Sequence, residues 1–239
     1  MTTACVTLDM DWASEPAIGF AIDYFEARGV PLTLFTTHPS ARVKTACAAH
    51  EVGLHPFFGP ESDHGDSVAA VIESVRRLDH NISAFRCHRF ATSNEVLERL
   101  SAEGMKSCSN ICTDLEVIAP FRNRCGLLEV PIFMEDGSYL RNGHTLEDAG
   151  LLTQGSLPST PRVFLIHPMH LCLNSPTYGF MRSIKNQLGK ASWRRLSADD
   201  LRLMEHKGRG IRDFLGEALN EFSSFVRFSD VCQPLSIRT

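Results

Sequence analysis

The chain has 239 residues, of which 43% are hydrophobic and 22% charged, with a formal net charge of -4. That apolar share is enough for one substantial core, and α/β barrels of this length run as one domain, here 1–239. A slightly acidic chain lacks the basic surface that nucleic-acid binding asks for, and no apolar run approaches the ~20 residues that span a bilayer.

In chain order, Ala4-Cys5-Val6-Thr7-Leu8 is a short apolar, β-branched run that reads as a buried strand. Ser14 is a plausible N-cap with Pro16 in the first turn, Ile18, Ile22 and Phe25 recur at helical spacing, and Gly29 supplies the stop. Pro31 to Thr36 is the second strand and Glu51 to Leu54 the third. Val68, Val71, Ile72, Val75 and Leu78 share one helical face, and Ser83 to Phe85 leads a fourth strand into Arg86. Thr92 and Glu95 form a capping-box signature for a helix that Gly104 ends. Further strands are expected at Met105–Cys108, Leu127–Pro131 and Arg162–Ile166, a long loop over residues 142–160, and two closing helices, the last with Ile211, Phe214, Leu215, Ala218, Leu219 and Phe222 on one stripe. Repeated strand–helix units imply a mostly parallel sheet, open or closed.

The opening MTTACVTLDMDWA has no basic region followed by an apolar one, so a cytoplasmic setting is expected. In that reducing setting the eight cysteines read mostly as small buried apolar residues; the CxxxC pair Cys108 and Cys112 matches no zinc or redox spacing. His50, just before a strand, is expected at the surface.

In parallel α/β barrels ligands sit at the C-terminal ends of the strands. Asp9 and Asp11 follow the first strand, Thr37 and His38 the second, His55 the third, Arg86 and His88 the fourth, and Asn110 the fifth. Glu135 and Asp136 lie beyond the sixth, and His167 and His170 follow the last. Scattered charges would not keep this register, so it marks a site. Imidazoles with a carboxylate suit a divalent ion such as zinc, with cobalt, nickel, manganese or iron fitting the same donors. A second carboxylate can take a proton from water, a histidine opposite can protonate a leaving group, and an arginine can hold the carboxylate ionised. The set reads as metal-assisted hydrolysis of an amide or ester.

TLDMDWA, HEVGLHPFF, FRCHRF and VFLIHPMH, in this order, resemble the polysaccharide deacetylase (NodB-homology, carbohydrate esterase 4) family, above all its branch tied to lipopolysaccharide O-antigen biosynthesis. The likeness runs from Thr3 to Asn174. It implies an α/β fold, a distorted (β/α)7-type barrel with C-terminal helices, and removal of an N-acetyl group from a sugar with one bound divalent ion. Carried over by position, Thr7-Leu8-Asp9 makes Asp9 the base, and Asp11, displaced by Met10, becomes a metal ligand. The family's paired histidines four apart are met only by His55, because Gly59 stands four residues on. His64, in Asp63-His64-Gly65, becomes the second imidazole ligand, although the same residues would also make an ordinary helix-entry turn. The resemblance pairs Arg86 with Asp9 and makes His167 the general acid. Trp12, His88, Glu135, Asp136 and His170 fall in the substrate groove; His88, where the family usually has proline, stays open between groove wall and active-site contact.

The expected function is therefore a metal-dependent deacetylase of a sugar or glycan intermediate, nucleotide- or lipid-linked, in surface polysaccharide assembly. Two other readings fit the scaffold: an amidohydrolase of a small ureide or cyclic amide, and a non-catalytic barrel that binds carbohydrate.

Overall fold

The computed structural model describes residues 2–154, 157 and 160–233. Its strands are β1 (Thr3–Asp9), β2 (Leu32–Thr36), β3 (Glu51–Leu54), β4 (Ala84–Phe85), β5 (Ser107–Cys108), β6 (Phe121–Arg122), β7 (Leu128–Glu129), β8 (Met134–Glu135), β9 (Arg162–Ile166) and β10 (Ser224–Phe225). The helices are α1 (Glu15–Glu26), α2 (Ala41–Ala46), α3 (Val68–Val75), α4 (Asn94–Ala102), α5 (Asp136–Arg141), α6 (Pro168–Cys172), α7 (Tyr178–Trp193), α8 (Ala198–Met204), α9 (Ile211–Asn220) and α10 (Phe228–Val231).

The strands form one mixed sheet in the order β6-β7-β5-β4-β3-β2-β1-β9-β8, with β10 paired to β1 and only β6–β7 antiparallel. The stretch from β7 to β8 curls this sheet round. Its first half bonds to β5, Val130 N–H to the Cys108 carbonyl at 2.8 Å. Its second half reaches β9, Phe133 N–H to the Val163 carbonyl at 2.9 Å. Seven strand positions thus surround an interior, as the barrel expectation has it.

β1 shows how the sequence divides the two sides. Ala4, Val6, Leu8 and Met10 join the large cluster under the helices, whereas Cys5 joins Phe35, Val163, Phe228 and Val231 inside. Side chains alternate along a strand, so Thr7 and Asp9 also face the interior. α10 plugs the lower end of that interior, with the Phe228 ring 5.6 Å from Phe35 and edge-on to it. Glu51 anchors the plug through Thr33 Oγ1 at 3.0 Å and Ser229 N–H at 3.1 Å. The apolar floor lies below, and the strand C-termini open above it.

Several boundaries differ from expectation. The cap before α4 is Ser93, which accepts from Val96 N–H, one residue beyond Thr92. Four helices, not two, follow residue 177 among the described residues, because α8 and the four-residue α10 are too short to show a full stripe. The expected 142–160 loop holds a short turn at Ala149–Thr153, and its residues 155, 156, 158 and 159 lie outside the described residues. His50 is buried, taking the Leu32 N–H at Nδ1 and meeting Glu26 at Nε2. The eight cysteines are all free, four of them buried and four half-buried.

Candidate metal and catalytic centre

The deepest part of the site is a buried ion pair. Arg86 is fully buried, and its Nη1 donates to Asp9 Oδ1 at 2.7 Å and to Thr7 Oγ1 at 2.8 Å. Nε and Nη2 donate to the carbonyl and hydroxyl of Ser109 at 3.0 and 2.9 Å, and the guanidinium lies 4.5 Å over the Phe35 ring. β1, β2, β4 and the residue after β5 thus hold one side chain. Asp9 has one oxygen fixed by this arginine and turns the other, Oδ2, toward His55 Nε2 at 3.6 Å.

Asp11 stands on the same side as Asp9 because one residue intervenes, and Met10 turns into the helix-side core. The chain then bends sharply, with Asp11 and Trp12 at φ 42 and 53. Left-handed backbone costs about 1–3 kcal/mol at a non-glycine residue and persists where surroundings over-determine it. Here the Trp12 N–H is held by Thr37 Oγ1 at 3.1 Å and the Ala13 N–H by the Met10 carbonyl at 2.7 Å.

Two imidazoles converge on Asp11 Oδ1, His55 Nε2 at 3.0 Å and His88 Nδ1 at 2.9 Å. The three donor atoms of Asp11, His55 and His88 all lie within 4.8 Å of one another. His55 Nδ1 sits 2.6 Å from the Arg86 carbonyl, which can only accept, so Nδ1 carries the proton and Nε2 turns its lone pair to the carboxylates. A lone pair 3.0 Å from a carboxylate oxygen is repulsive unless a proton or a metal ion lies between them. This donor set therefore fits a divalent cation. Burial would raise the Asp11 carboxyl, yet the charges of His88 and His167 hold it well below the usual carboxylate range.

The placement of His64 is a correction to the expected ligand set. Its Nδ1 accepts from Phe57 N–H at 3.1 Å and its Nε2 donates to the Thr37 carbonyl at 2.6 Å, so both ring nitrogens are spent on backbone. His64 ties the loop after β2 to the loop after β3, beneath the Trp12 ring at 5.4 Å. His88, which the sequence leaves open between groove wall and active-site contact, stands beside Asp11. The signal for this was the spacing Arg86-x-His88 at a strand end, which sends both side chains to one side.

Across the centre, His167 follows β9 directly. Asp136 grips it twice, Oδ2 accepting its backbone N–H at 2.7 Å and Oδ1 meeting Nδ1 at 2.6 Å. This leaves Nε2 facing Asp11 Oδ2 at 3.4 Å. Burial opposes charge on the ring, but Asp136, Asp11 and Glu135 push His167 up to about 10. His170 behaves in the opposite way: burial, with His167 and Lys185 adding to it, pushes it down to about 4 despite Asp136. Its Nδ1 is buried with no hydrogen-bond partner among the described residues. Glu135 holds the Ser138 hydroxyl, and burial raises its carboxyl. A cleft of about 570 Å³ opens over the centre, walled by Asp11, Trp12, His88, Glu135, His167 and His170.

A family model described as WbmS-like polysaccharide deacetylase matches residues 6–185. The chain belongs to this family. The WbmS-like chain is similar in fold to a Bordetella bronchiseptica protein whose crystal structure is described as that of a polysaccharide deacetylase involved in O-antigen biosynthesis. That match has 22% identity and a TM-score of 0.78, over 91% of this chain and 89% of the other. It is also similar to the 4-α-glucanotransferase of Thermococcus litoralis, at 10% identity and a TM-score of 0.57, over 99% of this chain and 39% of that larger one. No curated protein matches it. Membership of the WbmS-like family makes this a polysaccharide deacetylase by class.

Proposed function

We propose that this chain is a metal-dependent deacetylase that removes an N-acetyl group from a sugar intermediate of surface polysaccharide assembly. The observation that carries the reading is the convergence of Asp11, His55 and His88 on one point, with Asp9 and His167 on either side. The O-antigen role described for the Bordetella protein supports the pathway class. Eight free cysteines support a reducing, cytoplasmic setting, in which a nucleotide- or lipid-linked intermediate is the form of substrate encountered.

Asp11, His55 and His88 would hold the ion, zinc being the first expectation for two nitrogens and an oxygen, with cobalt, nickel, manganese or iron as substitutes. When bound, such an ion supplies Lewis-acid polarisation of a carbonyl and eases the ionisation of water. The protein's own groups do the rest. Arg86 fixes one oxygen of Asp9 and leaves Oδ2 facing the centre, where it takes a proton from the attacking water. His167, protonated at neutral pH and oriented by Asp136, donates its Nε2 proton to the departing sugar nitrogen. Trp12 and Phe57, edge-on with centroids 6.0 Å apart, form the apolar wall beside them.

The test is acetate release from a panel of N-acetylated sugars and nucleotide sugars by protein stripped with a chelator and then reloaded with zinc. Activity should vanish on stripping and return on reloading. Ammonia or ring-opened product in place of acetate would move the chain to the ureide and cyclic-amide hydrolases, and no product with no bound metal would make it a binding module.

A further inference from the structure

The cleft beyond the catalytic centre carries charge that the mechanism above does not use. Arg89, Arg141 and Lys185 line it, from the turn at His88–Phe90, the last turn of α5 and the middle of α7. Among the described residues none of the three is in an ion pair. Arg89 lies 5.5 Å over the Phe57 ring, Arg141 Nη2 reaches only the Ser138 hydroxyl at 3.4 Å, and Lys185 Nζ stands 5.2 Å over the Trp193 ring. The same wall holds three carboxylates: Asp11, beside His55 and His88; Glu135, which holds Ser138; and Glu61, in the loop after β3.

The backbone places these cations at some cost. Arg89 adopts φ 57 and ψ 21, left-handed for a non-glycine residue. α7 breaks at Gly189, φ 69, and that glycine also lines the cleft. Tyr178 and Lys185 line the cleft from the part of α7 before this break, and Trp193 from the part after it. α5 packs against α7, which puts Arg141 and Lys185 on one wall. A neutral glycan would offer these three cations no charged group to bond. An anionic group would be steered to them and bonded.

We propose that the substrate of this cleft carries an anionic group, phosphate or carboxylate, on or next to its acetamido sugar, and that Arg141, Lys185 and Arg89 bind it. This deepens the deacetylase reading and rests on it for the acetamido half alone.

The experiment is calorimetric binding to the zinc-loaded full chain of three probes: neutral N-acetylglucosamine, N-acetylglucosamine 1-phosphate, and 2-acetamido-2-deoxyglucuronic acid. At least one anionic probe should bind roughly tenfold tighter than the neutral sugar, with the advantage shrinking as salt is raised. Whichever anionic arm prevails separates phosphate from carboxylate. The double variant Arg141→Glu/Lys185→Glu should erase the preference. Lys44→Glu, on α2 and outside the cleft wall, also adds negative charge but should keep it. Equal affinity for all three probes, no binding by any, or a preference that survives the double reversal overturns the proposal. Acetate release, measured in parallel, keeps the two readings apart: an anionic preference without acetate sinks the deacetylase alone, and acetate without the preference sinks the anion site alone.

Discussion

Exchanging His88 and His64 for alanine, one at a time, should damage the protein in two different ways. His88 Nδ1 faces Asp11, and its ring makes edge contacts with Trp12 and Phe57 at 5.1 and 4.9 Å. His88→Ala removes one of three converging donors. A partner in the outer shell of a metal is worth 10–100-fold in affinity, so a direct donor should cost at least about 100-fold, or about 2.7 kcal/mol of binding. The metal-free fold should lose only about 1 kcal/mol for the missing ring contacts. His64→Ala leaves the Phe57 N–H and the Thr37 carbonyl without their ring partners, at a site only 8% exposed. Each buried orphan costs about 1–3 kcal/mol, so the variant should lose about 2–6 kcal/mol from a total stability of about 5–15 kcal/mol. Its zinc stoichiometry should stay at one per chain once folded. Zinc competition titration reads the first quantity, and urea unfolding in chelator reads the second. If His64→Ala loses zinc at an unchanged unfolding midpoint while His88→Ala keeps it, the assignment of the two histidines is refuted.

Arg86→Met should destabilise by about 3–5 kcal/mol, because it strands the buried Asp9 carboxylate without its fully buried partner. Adding Asp9→Leu to it should recover part of that loss in the same urea experiment, whereas additive losses would speak against a coupled pair. Asp136→Asn should cut the catalytic rate by about 10²–10⁴-fold with little change in KM. The sign of its pH effect follows from His167, whose raised value of about 10 keeps the acid protonated below that pH and loses it above. With Asp136 neutral the alkaline limb of the rate profile should move to lower pH; an unmoved limb would count against His167 as the acid. Gly53→Ala should cost about 1–3 kcal/mol, since a Cβ there would stand 2.8 Å from the Ala84 carbonyl and 2.9 Å from the Phe35 ring. An unchanged unfolding midpoint would show that the sheet yields at this point.

The parallel barrel was legible wherever a strand is buried on both faces. β1, β3 and β9 appear as apolar runs in the sequence, and the observed spans match within a residue at either end. β7 and β8 were harder because they share one stretch that changes partners midway, from β5 to β9, and a sequence shows no sign of such a change. α10 escaped notice for a related reason. Four residues carry no helical period, and Phe228 reads as an isolated aromatic until the interior it fills has been formed. His50 looked like a surface residue because it precedes a strand, yet its burial depends on Glu26 and Leu32, which are distant in sequence.

In the candidate site the structure departs from the expected ligand set at one histidine, and the departure has a structural cause. Strand ends name the loops that hold reactive groups, which brought Asp9, Asp11, His55, Arg86, Asp136 and His167 into view together. They do not say which side chain in a loop reaches the centre. That depends on where the backbone spends its hydrogen bonds. The loop after β3 presents the Phe57 N–H and the loop after β2 the Thr37 carbonyl, and His64 meets both through its two ring nitrogens. A histidine so engaged has no lone pair left to offer. His88 stands after β4, where Arg86 has turned inward and the chain enters a tight turn with Arg89 and Phe90 at φ 57 and 54. Its Nδ1 falls beside Asp11 without demand from the backbone. In the proposed centre the donor count is kept while the second imidazole comes from a different strand, so the geometry around the proposed ion, more than the motif spacing, is what this chemistry asks of the barrel.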